Sequence, residues 1–171
     1  MIHIISGNGK GKTSAAVGLA VRAAGAGLKV AFFQFLKDGR SSEIAVLKAI
    51  DGITVRCCVE CRKFTYEMDE SEKKAVIKSQ RVMMNEAAAL LREQAVDMLV
   101  LDEFFAAYNT GFIDREAADT LVFGCPDNVE LVLTGREPAE KFCKAADYHS
   151  EIRSLKNPYD KGTQARRGIE F

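Results

Sequence analysis

Short apolar runs alternate with longer amphipathic stretches along this chain. Four of the runs are apolar almost throughout and are bounded by glycine, aspartate or asparagine: MIHII at 1–5, LKVAFFQFL at 28–36, VDMLVLDE at 96–103 and VELVLTG at 129–135. Runs of this kind predict strands that are buried on both faces of a parallel sheet. Residues 52–58 and 148–156 are weaker strand candidates, and the alternation in the second predicts a position nearer an edge of the sheet.

Helical patterns fill the intervals between these strands. One helix is predicted at 12–24 and the longest at 69–95, where Asp69 can cap the helix with Glu72 three residues further on. The apolar face of the longest helix predicts a contact with the core; it consists of Val76, Met83, Ala87, Leu90 and Leu91. Shorter helices are predicted at 41–50, 114–122 and 138–146. The alternation predicts βαβ units in an α/β fold, and 171 residues suffice for a single domain over 1–171.

The segment IISGNGKGKTSAA at 4–16 has the pattern of a phosphate-binding loop between a strand and a helix. Its glycines let backbone N–H groups turn inward around a phosphate at the positive end of the helix; they are Gly7, Gly9 and Gly11. Lys12 would place its ammonium on the phosphates, and the Thr13 hydroxyl would ligate magnesium. Ser6 stands where the motif's first glycine belongs, which still permits a tight turn.

An acidic pair, Asp102 and Glu103, ends the buried strand LVLDE. Beside a phosphate loop, metal coordination is the favoured interpretation, although Asp102 could instead cap the next helix. Arg136 follows another buried strand and could either bear the charge that develops on a phosphate or lie on the surface. Lys10 adds a second lysine to the loop, which suits a reaction whose leaving group is the whole triphosphate.

Charge and composition narrow the class of function. Lysine plus arginine equals aspartate plus glutamate, 24 against 24, whereas proteins that bind nucleic acid usually have a basic excess. We therefore expect no nucleic-acid partner. No apolar run approaches the roughly 18 residues of a membrane helix, and no signal segment precedes the first strand. These features predict a cytoplasmic protein with no membrane partner.

Three of the five cysteines cluster in RCCVEC at 56–61. A Cys-x-x-Cys pair can be half of a zinc site, but structural zinc takes four ligands and the sequence offers no second pair. We interpret these cysteines as free thiols near the end of a strand.

Several segments together resemble the ATP:corrinoid adenosyltransferases, the cob(I)alamin adenosyltransferase family that has a phosphate loop. They match in order: GNGKGKT at 7–13, VAFFQFLK at 30–37, FTYE at 64–67, LVLDE at 99–103, LTGR at 133–136 and the tail EIRSLKNPYDKGTQARRGIEF at 151–171. The likeness covers nearly the whole chain. It implies a RecA-like P-loop NTPase fold, with a mainly parallel sheet flanked by helices.

The resemblance implies that ATP gives its 5′-deoxyadenosyl group to Co(I) of a reduced corrinoid and that triphosphate leaves. Lys10 and Lys12 would then be the catalytic residues, and Thr13, Asp102 or Glu103 would hold Mg²⁺ or Mn²⁺. The implied nucleotide-binding residues are Gly7, Asn8, Gly9, Lys10, Gly11, Lys12, Thr13, Arg22 and Arg136. Because the corrinoid cobalt is the nucleophile, no protein side chain needs that role.

The resemblance also assigns a role to Phe64 and Tyr66, which from the sequence alone would be core or rim aromatics. In the family an aromatic pair presses on the lower face of the corrin ring, displaces its axial ligand and eases reduction of Co(II) to Co(I). Phe64 matches that pair, and Tyr66 stands where well-known members carry tryptophan. The resemblance further implies a homodimer and a reduced flavoprotein as electron donor. Some members carry an N-terminal extension over the site, so here we expect closure from residues 60–68 or the tail.

Two other functions stay open at this point. A phosphoryl-transferring NTPase or small-molecule kinase would release ADP instead of triphosphate. An ATP-dependent corrinoid-binding regulatory module would need no catalysis, but the intact Lys12, Thr13, Asp102 and Glu103 favour an enzyme.

Overall fold

Six parallel strands form one sheet in the computed structural model, which describes residues 1–170. The strands are β1 (Ile2–Ser6), β2 (Val30–Gln34), β3 (Ile53–Cys57), β4 (Met98–Asp102), β5 (Glu130–Gly135) and β6 (Tyr148–Glu151), in the order β3-β2-β4-β5-β1-β6. Every neighbouring pair is parallel. All six predicted strands are present, and the sixth lies at an edge of the sheet, as its alternation indicated.

Within residues 1–170, six α-helices connect the strands: α1 (Lys12–Gly25), α2 (Ser42–Lys48), α3 (Glu70–Arg92), α4 (Phe104–Asn109), α5 (Arg115–Phe123) and α6 (Glu140–Ala145). Short 3₁₀ turns lie at Thr65–Glu67 and Pro158–Lys161. The capping box at the start of α3 is confirmed, because Asp69 accepts a bond from the Glu72 N–H and Glu72 accepts one from the Asp69 N–H. The sequence pattern did not predict α4.

The core has two layers, one on each face of the sheet. Alternate residues of β4 face opposite sides, so Leu99 and Leu101 pack with α3, α4, α5 and α6 while Val100 packs with α1 and α2. Because both faces are covered, the inner strands are mainly apolar, and most of their polar residues lie near their ends. The predicted α/β architecture, a parallel sheet flanked by helices, is confirmed.

The strand order sets where the loops meet. One strand, β5, lies between β1, which leads into the predicted phosphate loop, and β4, which ends at Asp102. This order fits the predicted RecA-like topology. Since all strands are parallel, every loop after a strand emerges at the edge of the sheet formed by the carboxyl ends of the strands, which is where ligands of open α/β sheets bind. Within residues 1–170, no helix is both long and apolar enough to cross a membrane.

Candidate functional site

The loop between β1 and α1 has the backbone that a phosphate loop needs. Gly7 has φ 110° and Gly11 has φ 114°, values that L side chains rarely adopt. Gly11 immediately precedes α1, so the loop delivers the first, unpaired N–H groups of the helix to the site. The Lys12 ammonium donates to the Gly9 carbonyl at 2.9 Å, which folds this side chain back over the loop.

Ser6 fits without strain at the position of the missing first glycine. It is the last residue of β1 and is outside the positive-φ region, so its backbone does not require glycine. Its hydroxyl lies 2.8 Å from Nε2 of His149 on the adjacent strand β6. The side chain therefore joins the base of the loop to the edge strand.

Asp102 is the centre of the site. Its side chain is fully buried at the end of β4, where a carboxylate is tolerated only with polar partners. Four side chains supply them: Thr134 at 2.7 Å, Thr13 at 2.9 Å, Lys37 at 3.0 Å and Gln34 at 3.1 Å. Asp102 does not cap α4, because the residue at the start of that helix is Glu103, without a capping bond from its side chain.

Lys37 joins the loop to the acidic pair. Its ammonium lies 3.1 Å from the Thr13 hydroxyl and 3.5 Å from the Glu103 carboxylate, besides its bond to Asp102. Burial lowers the pKa of Lys37, but attraction by Asp102 and Glu103 outweighs burial, so that the net pKa is raised. Lys37 is thus a fixed positive charge at neutral pH.

For the pKa of Lys12, the effect of burial outweighs the attraction of the nearby carboxylates. Burial lowers its pKa, attraction by Glu103 partly compensates, and repulsion from Arg136 lowers it further. The net pKa of Lys12 is below its ordinary value. Arg136 therefore contributes positive potential at the loop, although its side chain is exposed just beyond β5.

Three of the Asp102 partners were missed in the sequence analysis: Gln34, Lys37 and Thr134. Strand register explains how they meet, since Gln34 pairs with Asp102 across β2 and β4, and Thr134 lies one strand away at the same edge. A usable signal was present, because single polar residues interrupt the apolar runs FFQF and LVLTG near their ends. Polar residues at the carboxyl ends of parallel strands converge on one edge.

The chain after β6 crosses over the phosphate loop. The Gly9 N–H donates to the Ile152 carbonyl at 2.8 Å, and the Ser154 N–H donates to the Asn8 side chain at 3.0 Å. A Cβ atom at Gly7 would lie 2.3 Å from the Ile152 carbonyl oxygen, and one at Gly9 would lie 2.8 Å from it. These glycines are therefore required by the close approach of the tail as well as by the loop itself.

The other predicted basic residues are not among the hydrogen-bond partners of the Asp102 side chain described above. The Lys10 ammonium lies 3.2 Å from Glu170 of the tail, and the hydrogen bonds from Arg166 and Lys10 lower the pKa of Glu170 to about 2. Lys10 and Arg136 line a basic cleft of about 660 Å³ between the loop and the tail.

Arg22 lies ten residues along α1 from Lys12, about 15 Å at the usual helical rise, and is exposed. The described contacts do not bring Arg22 to the loop. The aromatic residue that closes the tail, at position 171, lies outside the described residues.

Phe64 and Tyr66 form an exposed stacked pair in the loop between β3 and α3. Their ring centroids are 5.5 Å apart with an interplanar angle of 5°, and the residues are 68% and 79% exposed. They are therefore not core residues. The loop begins at the same edge of the sheet as the phosphate loop, and the Cys58 N–H ties it to the Lys37 carbonyl at 3.1 Å.

The cysteine cluster lies where the loop that carries Phe64 and Tyr66 begins, directly after β3. All five cysteines are free, Cys57 ends β3, and Cys58 and Cys61 are buried. A hydrogen bond from the Cys61 thiol, with a second from Ser79, lowers the pKa of Cys58 to about 7, while the same pairing raises the pKa of Cys61. Within residues 1–170, no group of three or more His, Cys, Asp or Glu side chains is arranged to hold a metal ion.

Comparison with known proteins identifies a family whose members resemble this chain. The family described as ATP:corrinoid adenosyltransferase BtuR/CobO/CobP matches residues 1–171. The corrinoid adenosyltransferase of Pseudomonas aeruginosa is 32% identical over 172 residues, covering 100% of this chain and 82% of that protein. The corrinoid adenosyltransferase of Escherichia coli is 31% identical over 173 residues, covering 100% of this chain and 85% of that protein.

A looser likeness exists among solved structures. The Aeropyrum pernix ORC2 protein, in its ADPNP-ADP complexes, has a TM-score of 0.47 at 17% identity, covering 91% of this chain and 42% of that one.

Proposed function

This chain belongs to the ATP:corrinoid adenosyltransferase family, and on that premise we propose how its residues carry out the transfer. It is a transferase whose substrates are ATP and a corrinoid. We propose that the reduced cobalt of the corrinoid attacks C5′ of ATP, that the carbon–oxygen bond to the triphosphate breaks, and that triphosphate leaves with the bonding electrons. The observation that carries this mechanism is the exposed Phe64–Tyr66 pair at the sheet edge that also bears the phosphate loop.

The residues of the loop hold and stabilise the triphosphate. The N–H groups at the start of α1 and the Lys12 ammonium supply positive charge where the leaving group gathers negative charge. Lys10 and Arg136, on the basic cleft beside the loop, add to that potential. Asn8 and the loop glycines give the loop its shape, and Arg22 is assigned a nucleotide contact by family resemblance alone.

The residues around Asp102 fit a divalent metal. Thr13, Asp102 and Glu103 offer a hydroxyl and two carboxylates, the oxygen ligands that Mg²⁺ and Mn²⁺ prefer. A positive group already fits among these oxygens, since the Lys37 ammonium lies within 3.5 Å of all three side chains. When bound, the metal would supply charge neutralisation on the triphosphate. Gln34 and Thr134 hold Asp102 in place for that role.

The aromatic pair offers an apolar surface to the corrin ring. The two rings are nearly parallel and largely exposed, so they present a broad face to a flat ligand. We propose that this face displaces the lower axial ligand of cobalt and thereby eases its reduction to Co(I). The Tyr66 hydroxyl makes this face more polar than a tryptophan would.

The domain organisation, oligomeric state, location and electron donor are proposed from resemblance to the family. We propose a single domain over residues 1–171, a homodimeric and cytoplasmic enzyme, and a reduced flavoprotein as the source of the electron. Both a complete cobalamin and a precursor corrinoid are compatible with an open aromatic face. Sedimentation of the purified protein tests the dimer, and a monomer at working concentration would contradict it.

The first experiment is an anaerobic reaction of the protein with Mg-ATP and chemically reduced cob(I)alamin. The expected products are light-sensitive adenosylcobalamin, followed by absorbance, and intact triphosphate. Formation of ADP and phosphate with no change at cobalt would contradict adenosyl transfer.

Lys12→Ala should lower kcat by about 10²-fold or more, the usual cost of removing a stabilising donor. Lys144→Ala is the matched control, because Lys144 is exposed on α6 and pairs there with Glu140.

Tyr66 is tested by starting the reaction from two oxidation states. Tyr66→Ala should slow the reaction that starts from Co(II) and a reductant more than the reaction that starts from prepared Co(I), while ATP binding stays nearly unchanged. Tyr66→Trp should restore the Co(II)-dependent rate. Equal losses in both assays would disprove a role in displacing the axial ligand.

A further inference from the structure

Lys37 holds the position between the ligands assigned above to the metal. Its ammonium nitrogen lies 3.1 Å from the Thr13 hydroxyl, 3.0 Å from the Asp102 carboxylate and 3.5 Å from the Glu103 carboxylate. Asp102 is fully buried, and the Lys37 side chain is 29% exposed. A positive charge that pairs with both carboxylates is therefore a side chain of the protein itself.

The backbone next to Lys37 supports this placement. Leu36 has φ 51°, a left-handed conformation that is uncommon for a residue other than glycine, and its side chain packs against the core. The Lys37 carbonyl accepts the Cys58 N–H at 3.1 Å. Strained residues persist only where their surroundings hold them, and they are concentrated at functional sites. The chain thus turns sharply after β2 in a way that directs Lys37 to Asp102.

An ammonium and a divalent cation cannot occupy this position together. Both would need the same oxygens of Thr13 and Asp102, and like charges at that separation repel strongly in a partly buried site. The four-carbon stem of lysine is flexible, so its ammonium can move while the backbone stays fixed. The entry of a metal therefore requires the departure of Lys37.

We propose that Lys37 is the resident counter-ion of the metal position, that it is displaced by the incoming metal, and that it then pairs with the triphosphate that accompanies the metal. This inference rests on the proposed function, because that function assigns the metal to Thr13, Asp102 and Glu103. Lys37 thereby lowers the affinity for free metal and joins Lys10 and Lys12 as a third lysine on the leaving group once nucleotide is present.

The test measures Mn²⁺ binding to the nucleotide-free protein by the electron paramagnetic resonance signal of free Mn²⁺. Lys37→Met should bind Mn²⁺ at least tenfold more tightly than the wild type. Lys37→Arg keeps the positive charge and should stay within threefold of the wild type. Lys144→Met is the matched control for loss of a lysine charge away from the ligand set, since Lys144 is exposed on α6 and pairs with Glu140, and it should change the affinity by less than threefold. Equal gains for Lys37→Met and Lys144→Met, or no gain for Lys37→Met, would overturn the inference.

A second measurement uses the wild-type protein, so it does not depend on the folding of a variant. Acetylation of individual lysines is followed by mass spectrometry, with exposed Lys144 as the internal reference. Saturating Mn²⁺ should raise the acetylation rate of Lys37 relative to Lys144, and Mn-ATP should lower it again. An unchanged rate with Mn²⁺ would overturn the displacement, and a rate that stays high with Mn-ATP would overturn the pairing with triphosphate.

These results are independent of the adenosyl-transfer assay. An active adenosyltransferase whose Lys37 does not respond to Mn²⁺ refutes the counter-ion role and leaves the proposed function intact. A protein whose Lys37 responds to Mn²⁺ but which forms ADP instead of triphosphate supports the counter-ion role and refutes the proposed transfer.

Discussion

Replacing Thr134 with valine tests how strongly the site depends on the hydrogen bonds of Asp102. Thr134 is fully buried, donates to Asp102 at 2.7 Å and accepts the Glu103 N–H at 3.0 Å. Valine keeps the shape of the side chain but makes neither bond. Asp102 keeps its other donors, so we expect a folded protein that is less stable.

The magnitude follows from the two lost bonds. A hydrogen bond to a charged group contributes about 1.5–3 kcal/mol, and a buried N–H left unpaired costs about 1–3 kcal/mol. The extra methyl group of valine returns about 0.8 kcal/mol of apolar burial. Because the two losses share one residue and are not additive, we expect a net decrease of about 2–4 kcal/mol in the free energy of unfolding. For a chain of this length, that lowers Tm by roughly 5–15 °C.

The assay is thermal and urea unfolding followed by circular dichroism, with Thr54→Val as control. Thr54 lies on β3 and is exposed, so its substitution should change stability by no more than about 0.5 kcal/mol. If Thr134→Val melts within 1 °C of the wild type, the bonds of Thr134 do not stabilise the fold and the reasoning is refuted. Its adenosylation rate, measured well below Tm, should fall less than that of Lys12→Ala.

Three further changes have defined outcomes. Gln80→Met should stabilise the protein by about 1–3 kcal/mol in urea unfolding, because neither amide atom of this buried side chain has a hydrogen-bond partner among residues 1–170; a less stable variant would contradict this. Gly9→Ala should destabilise the protein and weaken ATP binding, measured by calorimetry, because its Cβ would lie 2.8 Å from the Ile152 carbonyl oxygen; unchanged affinity would contradict the predicted clash. The pKa of Cys58 is lowered to about 7 by the Cys61 thiol, so thiolate absorbance near 240 nm should rise as the pH passes 7, and Cys58→Ser should remove that step. A first step near pH 9 would contradict the pairing.

Local pattern predicted most of the elements because most of them have a clear boundary and period. Four of the six strands are short apolar runs between glycine and polar residues, β6 was predicted from its alternation, and α3 has both a capping box and an apolar face. The helix at Phe104–Asn109 was missed because FFAAYN follows the acidic pair as a short apolar segment with no amphipathic period. Four of its six residues are buried, so tertiary packing decides its structure.

The site residues that belong to a sequence motif were assigned from the sequence, whereas the contacts that arise only from the tertiary fold were missed. Thr13 and Asp102 were assigned from the loop and the acidic strand end, and the structure brings them within 2.9 Å. Lys37 ends the segment at 30–37 that resembles the family, but the resemblance gave it no role, and it is the turn at Leu36 that directs it to Asp102. The contact between Gly9 and Ile152 joins residues 143 positions apart, a separation at which residue pattern alone carries no pairing information.

The crossing of the tail over the phosphate loop has a consequence for the order of events during synthesis. The loop is made long before Ile152, yet β1 lies between β5 and β6, and Gly9 is held by Ile152. At about 5–20 residues per second, the ribosome needs roughly 7–30 s to reach Ile152 after it has made the loop. During that interval the nascent chain carries the residues of a nucleotide site without its enclosure. Binding of nucleotide thus reports that the segment around Ile152 has been made and has reached the loop, and it can serve as a late marker in a study of co-translational folding.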